Sequence, residues 1–411
     1  MPVELRPITA DELPAFTRTA SLIYATPTPD EARLAELAAL TEFDRTLAGF
    51  DGDRVVATSL TASYQLSVPG AVLPTGGLAS VTVSPTHRRQ GLLTEMMRHH
   101  LADGRDRGEP LAALWASEAP IYGRYGYGTA TRSARWELHR RFGVLRPELR
   151  GKELDAASRV ELLEPGAPAA EVVEQIRPVH DALLGKVAGV LERPDAQWQS
   201  RLRRGSPDLR WAIWRAPDGT ARGYAGYRVT SGYSEAGPEN NLNIAELMTT
   251  TPDSYLGLLR FLLDHDLVGK INALFRPVDE PLGQMLADPR RLSVTPMEGM
   301  WLRLADVGAA LGGRRYQVAD RIIFGVDDPF PEPSSCNWCL DAGPDGASCA
   351  PTSEAPDLTL GASNLAAAYL GGTPFTNLVR AGLATEHRAG AALAATRLFA
   401  WDPQPWAPTY F

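Results

Sequence analysis

Apolar positions along the first third of the chain change period several times. "ITADELPAFTRTASLIY" repeats at helical spacing, and Thr9 with Glu12 three positions later predicts a capping box at its start. "PDEARLAELAAL" predicts a second helix. From "RTLAGF" the period drops to two, with strands on either side of a "DGDR" turn, then "VVATSLTASYQLSV", the turn "PGA" and "GLASVTV". At about 91–107 helical spacing returns, with Leu92, Leu93, Met96, Met97 and Leu101 on one face. "LAALWAS" reads as a short apolar strand and "EAPIYGRYGYG" as a short helix running into glycine-rich turns. "ATRSARWEL" alternates as the segment's last strand.

Residues 136–165 are rich in charge and turn formers and read as a connection. From about 170 to 293 the first pattern recurs loosely: a helix in "VVEQIRPVHDALLGKVAGVL", a hairpin around "PDGT", the strand "LNIAELMT", the helix "PDSYLGLLRFLLDHD" and the strand "KINALF". This predicts a second copy of the first fold. A third segment of mixed character starts near "MEGMWLRLADVGAAL", with strands in "YQVADRIIFGV" and "NWCLDA" and a helix in "GASNLAAAYLGG". It ends in "DPQPWAPTYF". Trp401, Trp406, Tyr410 and Phe411 predict a docked tail, because four aromatics are costly to leave in water.

Composition changes this picture little. The 411 residues are 44% hydrophobic and 22% charged, which suits two or three soluble domains. A formal net charge of -8 argues against nucleic acid and for a cationic partner. No apolar run is long enough to span a bilayer and no signal region opens the chain, so no membrane insertion and a cytoplasmic location are expected. The three cysteines cluster in "CNWCLDAGPDGASC" without a fourth ligand nearby, so no metal is expected. All but three of the 41 basic residues are arginine, so the Arg88-Arg89 pair means little without its context.

That context is "VTVSPTHRRQGLL". A strand ends at Pro85, which cannot donate to a ladder, and a helix begins after Gly91. A helix start exposes N–H groups and partial positive charge, suited to phosphate. Gly91 admits close backbone approach, and Arg88 and Arg89 complement a diphosphate. A strand that parts from its neighbour leaves peptide groups for an extended amide-bearing ligand. A diphosphate at one end and amides at the other is the layout of coenzyme A. Neither a Walker-type loop nor a GxGxxG turn is present, while a basic surface turn remains the plain alternative.

The same stretch resembles the acyl-coenzyme-A motif of the GNAT superfamily of N-acetyltransferases, R/Q-x-x-G-x-G/A, departing from it at Leu93, where a small residue is usual. That departure is similar to the Eis (enhanced intracellular survival) branch, as are "LSVPGAVLPTGGL", "ASEAPIYGRYGYGTAT" and "RYQVADRIIFGVDDP". The resemblance implies an α+β chain with tandem GNAT-type mixed-sheet domains at 1–135 and 136–293, the second degenerate, and a sterol-carrier-protein-like α+β domain at 294–411. It implies a homohexamer that uses acetyl-CoA to acetylate amines, notably of aminoglycoside antibiotics at more than one position. By motif position, the backbone of Val81, Thr82 and Val83 would pair with the pantetheine arm. Arg89, Gln90, Gly91, Leu92, Leu93 and Thr94 would cradle the diphosphate beside Arg88, and Ser117 and Glu118 would line the opposite wall. Tyr122 corresponds to the general acid, and the terminal carboxylate, on Phe411, to the general base.

An ammonium must lose a proton before it attacks a thioester, and the departing thiolate must gain one. A phenol is a fair donor to a thiolate. A carboxylate is a weak base in water that apolar surroundings strengthen. His87 reads as ordering its loop or, less simply, as an acid–base group. The Asp30, Glu31 and Glu36 group reads as a solvated helix face or as a wall for a cationic substrate. A catalytically quiet acyl-CoA- or lipid-binding scaffold, or an enzyme for protein lysines or other amines, are the alternative functions.

Overall fold

After a short strand β1 (Glu4–Arg6) the expected capping box forms: Thr9 N–H donates to Glu12 Oε2 at 2.9 Å, ahead of helix α1 (Leu13–Tyr24). The Asp30 side chain caps α2 (Glu31–Leu40) by accepting from Arg33 N–H. The computed structural model describes residues 3–411 except 165, 205–207 and 236. Strand β2 (Thr46–Asp51) leads into one long hairpin, β3 (Arg54–Val68) and β4 (Ala71–Val83). Helix α3 (Leu92–Asp106) then crosses over to β5 (Leu111–Leu114), parallel to β4, as parallel neighbours require. Helix α4 (Ala119–Tyr122) and β6 (Gly128–Thr129) complete the segment.

The helical periods bury what they predicted. Leu13 and Phe16 of α1 pack with Ile8, Ala48 and Phe50. Leu92 and Met96 of α3 pack with Leu47 and Ala57, and Met97 and Leu101 with Leu78, Leu114 and three tyrosines, Tyr122, Tyr125 and Tyr127. Beneath the sheet, Arg45, its side chain fully enclosed, makes two hydrogen bonds to Glu109 (2.6 and 2.8 Å) and one to Asp103 (2.9 Å). His100 is buried beside it, between Thr61 Oγ1 (2.8 Å) and the Tyr127 hydroxyl (2.9 Å).

Two strands differ from the expected assignment. Arg132–His139, whose alternation reads as the end of the first segment, lies inside a second seven-stranded sheet, between Leu292–Glu298 and Val268–Arg276. The first sheet instead takes Trp301–Leu304 between β5 and β6. Alternation identifies a strand but carries no information about which sheet receives it. One compact unit accordingly runs to Thr131 and includes Gly299–Pro405 and Thr409–Phe411. The other comprises Arg132–Glu298 with Trp406–Pro408.

Within the second unit, Asn240–Thr249 and Val268–Arg276 are parallel and joined by the helix Pro252–Leu263, the same β–α–β order as β4, α3 and β5. Its helix starts on a Thr251–Ser254 capping box instead of a glycine turn. Beyond Ile244 the two strands also separate, but here the seam is filled. Arg276 Nη1 donates to Leu247 O at 2.7 Å, Glu280 holds the same guanidinium, and the indole of Trp406 donates to Phe275 O.

The third segment folds a five-stranded sheet, Gly346–Thr352, Ser334–Gly343, Asp320–Asp328, Leu358–Gly361 and Ala384–Glu386 in spatial order. Its helices pack through Phe324, Phe375 and Phe399. Arg314 is buried with its guanidinium donating to the last carbonyls of two helices, Tyr369 O and Phe399 O, where helix dipoles favour a cation. The three cysteines are free thiols. Among the described residues no helix is long and apolar enough to cross a membrane.

Burial, with Arg45 nearby, lowers the His100 pKa to about 3, below the usual value near 6.5. The unfolded chain therefore binds a proton that the folded chain refuses between those values, so this group's contribution is intact above about pH 6.5 and falls as pH drops toward 3. Urea unfolding across pH 7.5–5 is expected to show a steeper loss of stability for the native chain than for His100→Asn, and equal slopes would contradict the assignment.

Candidate active site

β4 and β5 pair only where Thr75–Leu78 face Leu111–Leu114, while β3 stays paired to β4 as far as Val83. Past Leu78 the two parallel strands part. A bulge in β4 marks the place: Ser80, not a glycine, has φ of 53°. Thr58 Oγ1 donates to Ser80 O at 2.7 Å and the Tyr24 hydroxyl to Val81 O at 2.9 Å. Ser84 N–H donates to Val56 O on β3. By strand alternation Thr82 therefore faces β3 as well, and Val81 and Val83 turn to the parted side. Thr82 is buried with its hydroxyl 2.5 Å from that of Thr58, so of the three residues expected to pair with an extended ligand, two present free-side backbone.

The joint that follows is a concave turn. Arg89 (φ 63°) and Gly91 (φ 85°) both adopt the left-handed conformation, which turns successive N–H groups inward. The first intrahelical bond of α3 runs from Glu95 N–H to Gly91 O. The N–H groups of Leu92, Leu93 and Thr94 therefore have no partner on the chain among the described residues. A Cβ at Gly91 would meet nothing within 4 Å, so the backbone conformation demands glycine and open space lies in front of it. Arg88, Arg89 and Gln90 are exposed at the rim, and Arg88 Nε donates to Val83 O. Leu93 is half-buried against the cores beneath both ends of α3, which accounts for a large residue where the motif usually has a small one. His87 sits between Thr86 Oγ1 (2.8 Å) and Asp51 (3.3 Å) and orders the loop.

On the opposite wall Ser117 and Glu118 are exposed at the exit of β5, and Glu118 precedes α4. Tyr122 ends that helix, buried, edge-on to Tyr127 at 6.2 Å. Among the described residues no group hydrogen-bonds its hydroxyl. Burial, reinforced by Tyr24, Glu118, Tyr125 and Tyr410, holds this phenol far above its ordinary pKa, so it keeps its proton at any working pH. Neighbouring Tyr125 reaches Thr94 Oγ1 at 3.3 Å and ties this wall to the start of α3.

The chain's end comes to the same seam. The Phe411 ring lies 4.8 Å from that of Tyr64 and the Tyr410 ring 5.1 Å from Trp115, just past β5. Gly77 of β4 makes the space: a Cβ there would fall 2.3 Å from Tyr64 and 3.1 Å from Phe411. Tyr410 is nevertheless 65% exposed, so the tail is docked at its ends of contact without being enclosed throughout.

Beside the bulge, α1, the 26–30 loop and α2 bound a cavity of about 430 Å³ lined by Phe16, Tyr24, Asp30, Arg33, Leu60 and Ser80, among others. Asp30 is engaged as the helix cap and Glu36 pairs with Arg33 at 2.7 Å. Tyr24, Tyr64 and Trp115 are the site neighbours that sequence reasoning did not single out. Each is an isolated aromatic in an ordinary amphipathic stretch, and only the tertiary fold brings it to the seam.

The three segments of the chain match known protein domains. Residues 4–130 match a family described as acetyltransferase (GNAT) domain, 189–304 a second family so described, and 307–408 a sterol carrier protein domain. The chain is 37% identical over 385 residues to an uncharacterised N-acetyltransferase of Streptomyces avermitilis, covering 90% of each protein. It is 33% identical over 363 residues to N-acetyltransferase Eis of Mycobacterium tuberculosis, covering 86% of this chain and 81% of that one. The crystal structure of Eis1 from Mycobacterium abscessus superposes over the whole of both chains with a TM-score of 0.84 at 30% identity. A GCN5-related N-acetyltransferase from Anabaena variabilis, at 17% identity and a TM-score of 0.83, shares the fold. Tandem GNAT domains, a sterol-carrier-like third domain and relatives of this extent show that the chain belongs to the Eis family of GNAT N-acetyltransferases, enzymes that act with acetyl-CoA.

Proposed function

We propose that the chain transfers the acetyl group of acetyl-CoA to an amine of a cationic small molecule, with aminoglycosides the first acceptors to test, at the seam where β4 leaves β5. The observation that carries this reading is the meeting of three features there: unpartnered N–H groups at the start of α3, the unpaired hydroxyl of Tyr122, and the aromatic chain end on Tyr64 and Trp115.

Acetyl-CoA supplies an activated thioester. The N–H groups from Arg89 to Thr94 bind its diphosphate, with Arg88 and Arg89 adding complementary charge. Val81 and Val83 hold the amide-bearing arm as an added strand would, with Ser117 and Glu118 on the facing wall. Tyr122, kept protonated by burial, donates from its hydroxyl to the departing sulfur. The carboxylate of Phe411 accepts the proton of the attacking ammonium, and its negative charge draws a cation to the seam. The cavity lined by Tyr24, Asp30 and Arg33 receives the body of the acceptor. Its carboxylate, Asp30, already caps α2, which favours keeping protein lysines and simpler amines as a second acceptor class. A homohexameric assembly in the cytoplasm belongs to the same proposal.

Initial rates of thiol release from acetyl-CoA with kanamycin, a polyamine, a simple monoamine and a lysine peptide test the acceptor class. Kanamycin is expected to be acetylated, and no turnover with it would pass the role to another amine. Tyr122→Phe is expected to lower kcat by about 10²–10⁴-fold with coenzyme A affinity nearly unchanged. Equal loss of both would remove it as the acid. A short extension beyond Phe411 is expected to cut the rate sharply, and a fully active extended enzyme would exclude the terminal base. Gly91→Val, strained at a φ of 85°, is expected to weaken coenzyme A binding, by about ten-fold or more for a strain of ~1–3 kcal/mol. Calorimetry giving an unchanged Kd would refute the diphosphate turn.

A further inference from the structure

The bulge in β4 has two carbonyls that leave the strand ladder, and each is held by a side-chain hydroxyl from a different element. Thr58 on β3 is buried and donates to Ser80 O at 2.7 Å. Tyr24, the last residue of α1 and 57 positions away in sequence, donates to Val81 O at 2.9 Å. The bulge needs such support. Ser80 carries a positive φ that a residue with a Cβ adopts at a cost, and such conformations persist only when their surroundings hold them.

Tyr24 stands at the end of its helix. Ala25 takes a left-handed C-cap (φ 54°) and Thr26 N–H donates to Ser21 O at 2.9 Å, which fixes where α1 stops. The ring forms part of the wall of the 430 Å³ cavity, while the hydroxyl reaches past it to the strand. Although Tyr24 is 41% exposed, partial burial and nearby Tyr410 raise this phenol to about 12, so it remains a donor throughout the neutral range.

We propose that Tyr24 is a positioning residue for acetyl-CoA: its hydroxyl fixes the Val81 peptide in the bulge, and so sets the direction in which Val81 and Val83 present their backbone to the amide-bearing arm of the ligand. This rests on the role proposed above for those two residues. A carbonyl oxygen has two lone pairs, so the phenol and a ligand N–H share Val81 O without competing. The hydroxyl acts through the strand and takes no part in proton transfer.

Tyr24→Phe removes that hydroxyl and keeps the ring that lines the cavity. Titration calorimetry with coenzyme A is expected to give a Kd about three- to ten-fold weaker than that of the native chain, the size of one neutral hydrogen bond. Initial rates are expected to show the same rise in KM for acetyl-CoA, with the thermal midpoint within a degree or two. An unchanged Kd would overturn the proposal alone, as would a fall in thermal midpoint with Kd intact, which would reduce Tyr24 to packing. No heat from coenzyme A with the native chain would overturn the ligand seam itself and this proposal with it.

Discussion

The fold of the first domain turns on one separation. β4 and β5 are held together by ladder bonds from Thr75 to Leu78 and then diverge, so peptide groups that a sheet normally consumes are left at its centre. An unpaired buried peptide is costly, and the chain meets that cost in several ways. β3 keeps its side of β4 paired to Val83, Thr58 and Tyr24 hold the bulge carbonyls, and Arg88 takes Val83 O. At the start of α3 a left-handed turn gathers N–H groups that have no partner among the described residues into one concavity. In the proposed function, a ligand with anionic and amide portions meets the same need that protein groups meet elsewhere.

The second unit shows what the same topology becomes when the seam is closed internally. Asn240–Thr249 and Val268–Arg276 repeat the parallel pair and its crossover helix. There the freed carbonyl of Leu247 accepts from Arg276, a buried guanidinium held by Glu280, and the helix begins on a self-contained Thr251–Ser254 box. Both ends of the ligand's place are thus satisfied by the chain. The second seam has protein contacts where the first has a glycine turn and open peptide groups.

Much of this was legible in the sequence because it is local. The capping box at Thr9 and Glu12, the helix starting after Gly91 and the long hairpin each follow from residues within a few positions of one another. The resemblance to the Eis family supplied the domain order, which periodicity alone left open. Long-range placements were not legible. Arg132–His139 alternates equally well for either sheet, and Trp301–Leu304 lies about 170 positions after the strand β6 that it adjoins. Tyr24 and Arg276 carry no motif, since their roles depend on carbonyls exposed by the parting of distant strands. The buried Arg45, Glu109 and His100 group likewise comes from three separate elements, and nothing in any one of them announces a partner.

The claim on which the account depends is that exposed peptide groups at the open seam, and not at the closed one, receive acetyl-CoA. Amide hydrogen–deuterium exchange with and without coenzyme A tests it directly, because it reads the backbone groups themselves. The account predicts slower exchange on ligand addition across Val81, Val83 and residues 89–94, with exchange across residues 245–254 of the second unit unchanged. Exchange at 81–94 that does not respond to saturating coenzyme A, or protection that falls instead on the second seam, would contradict it.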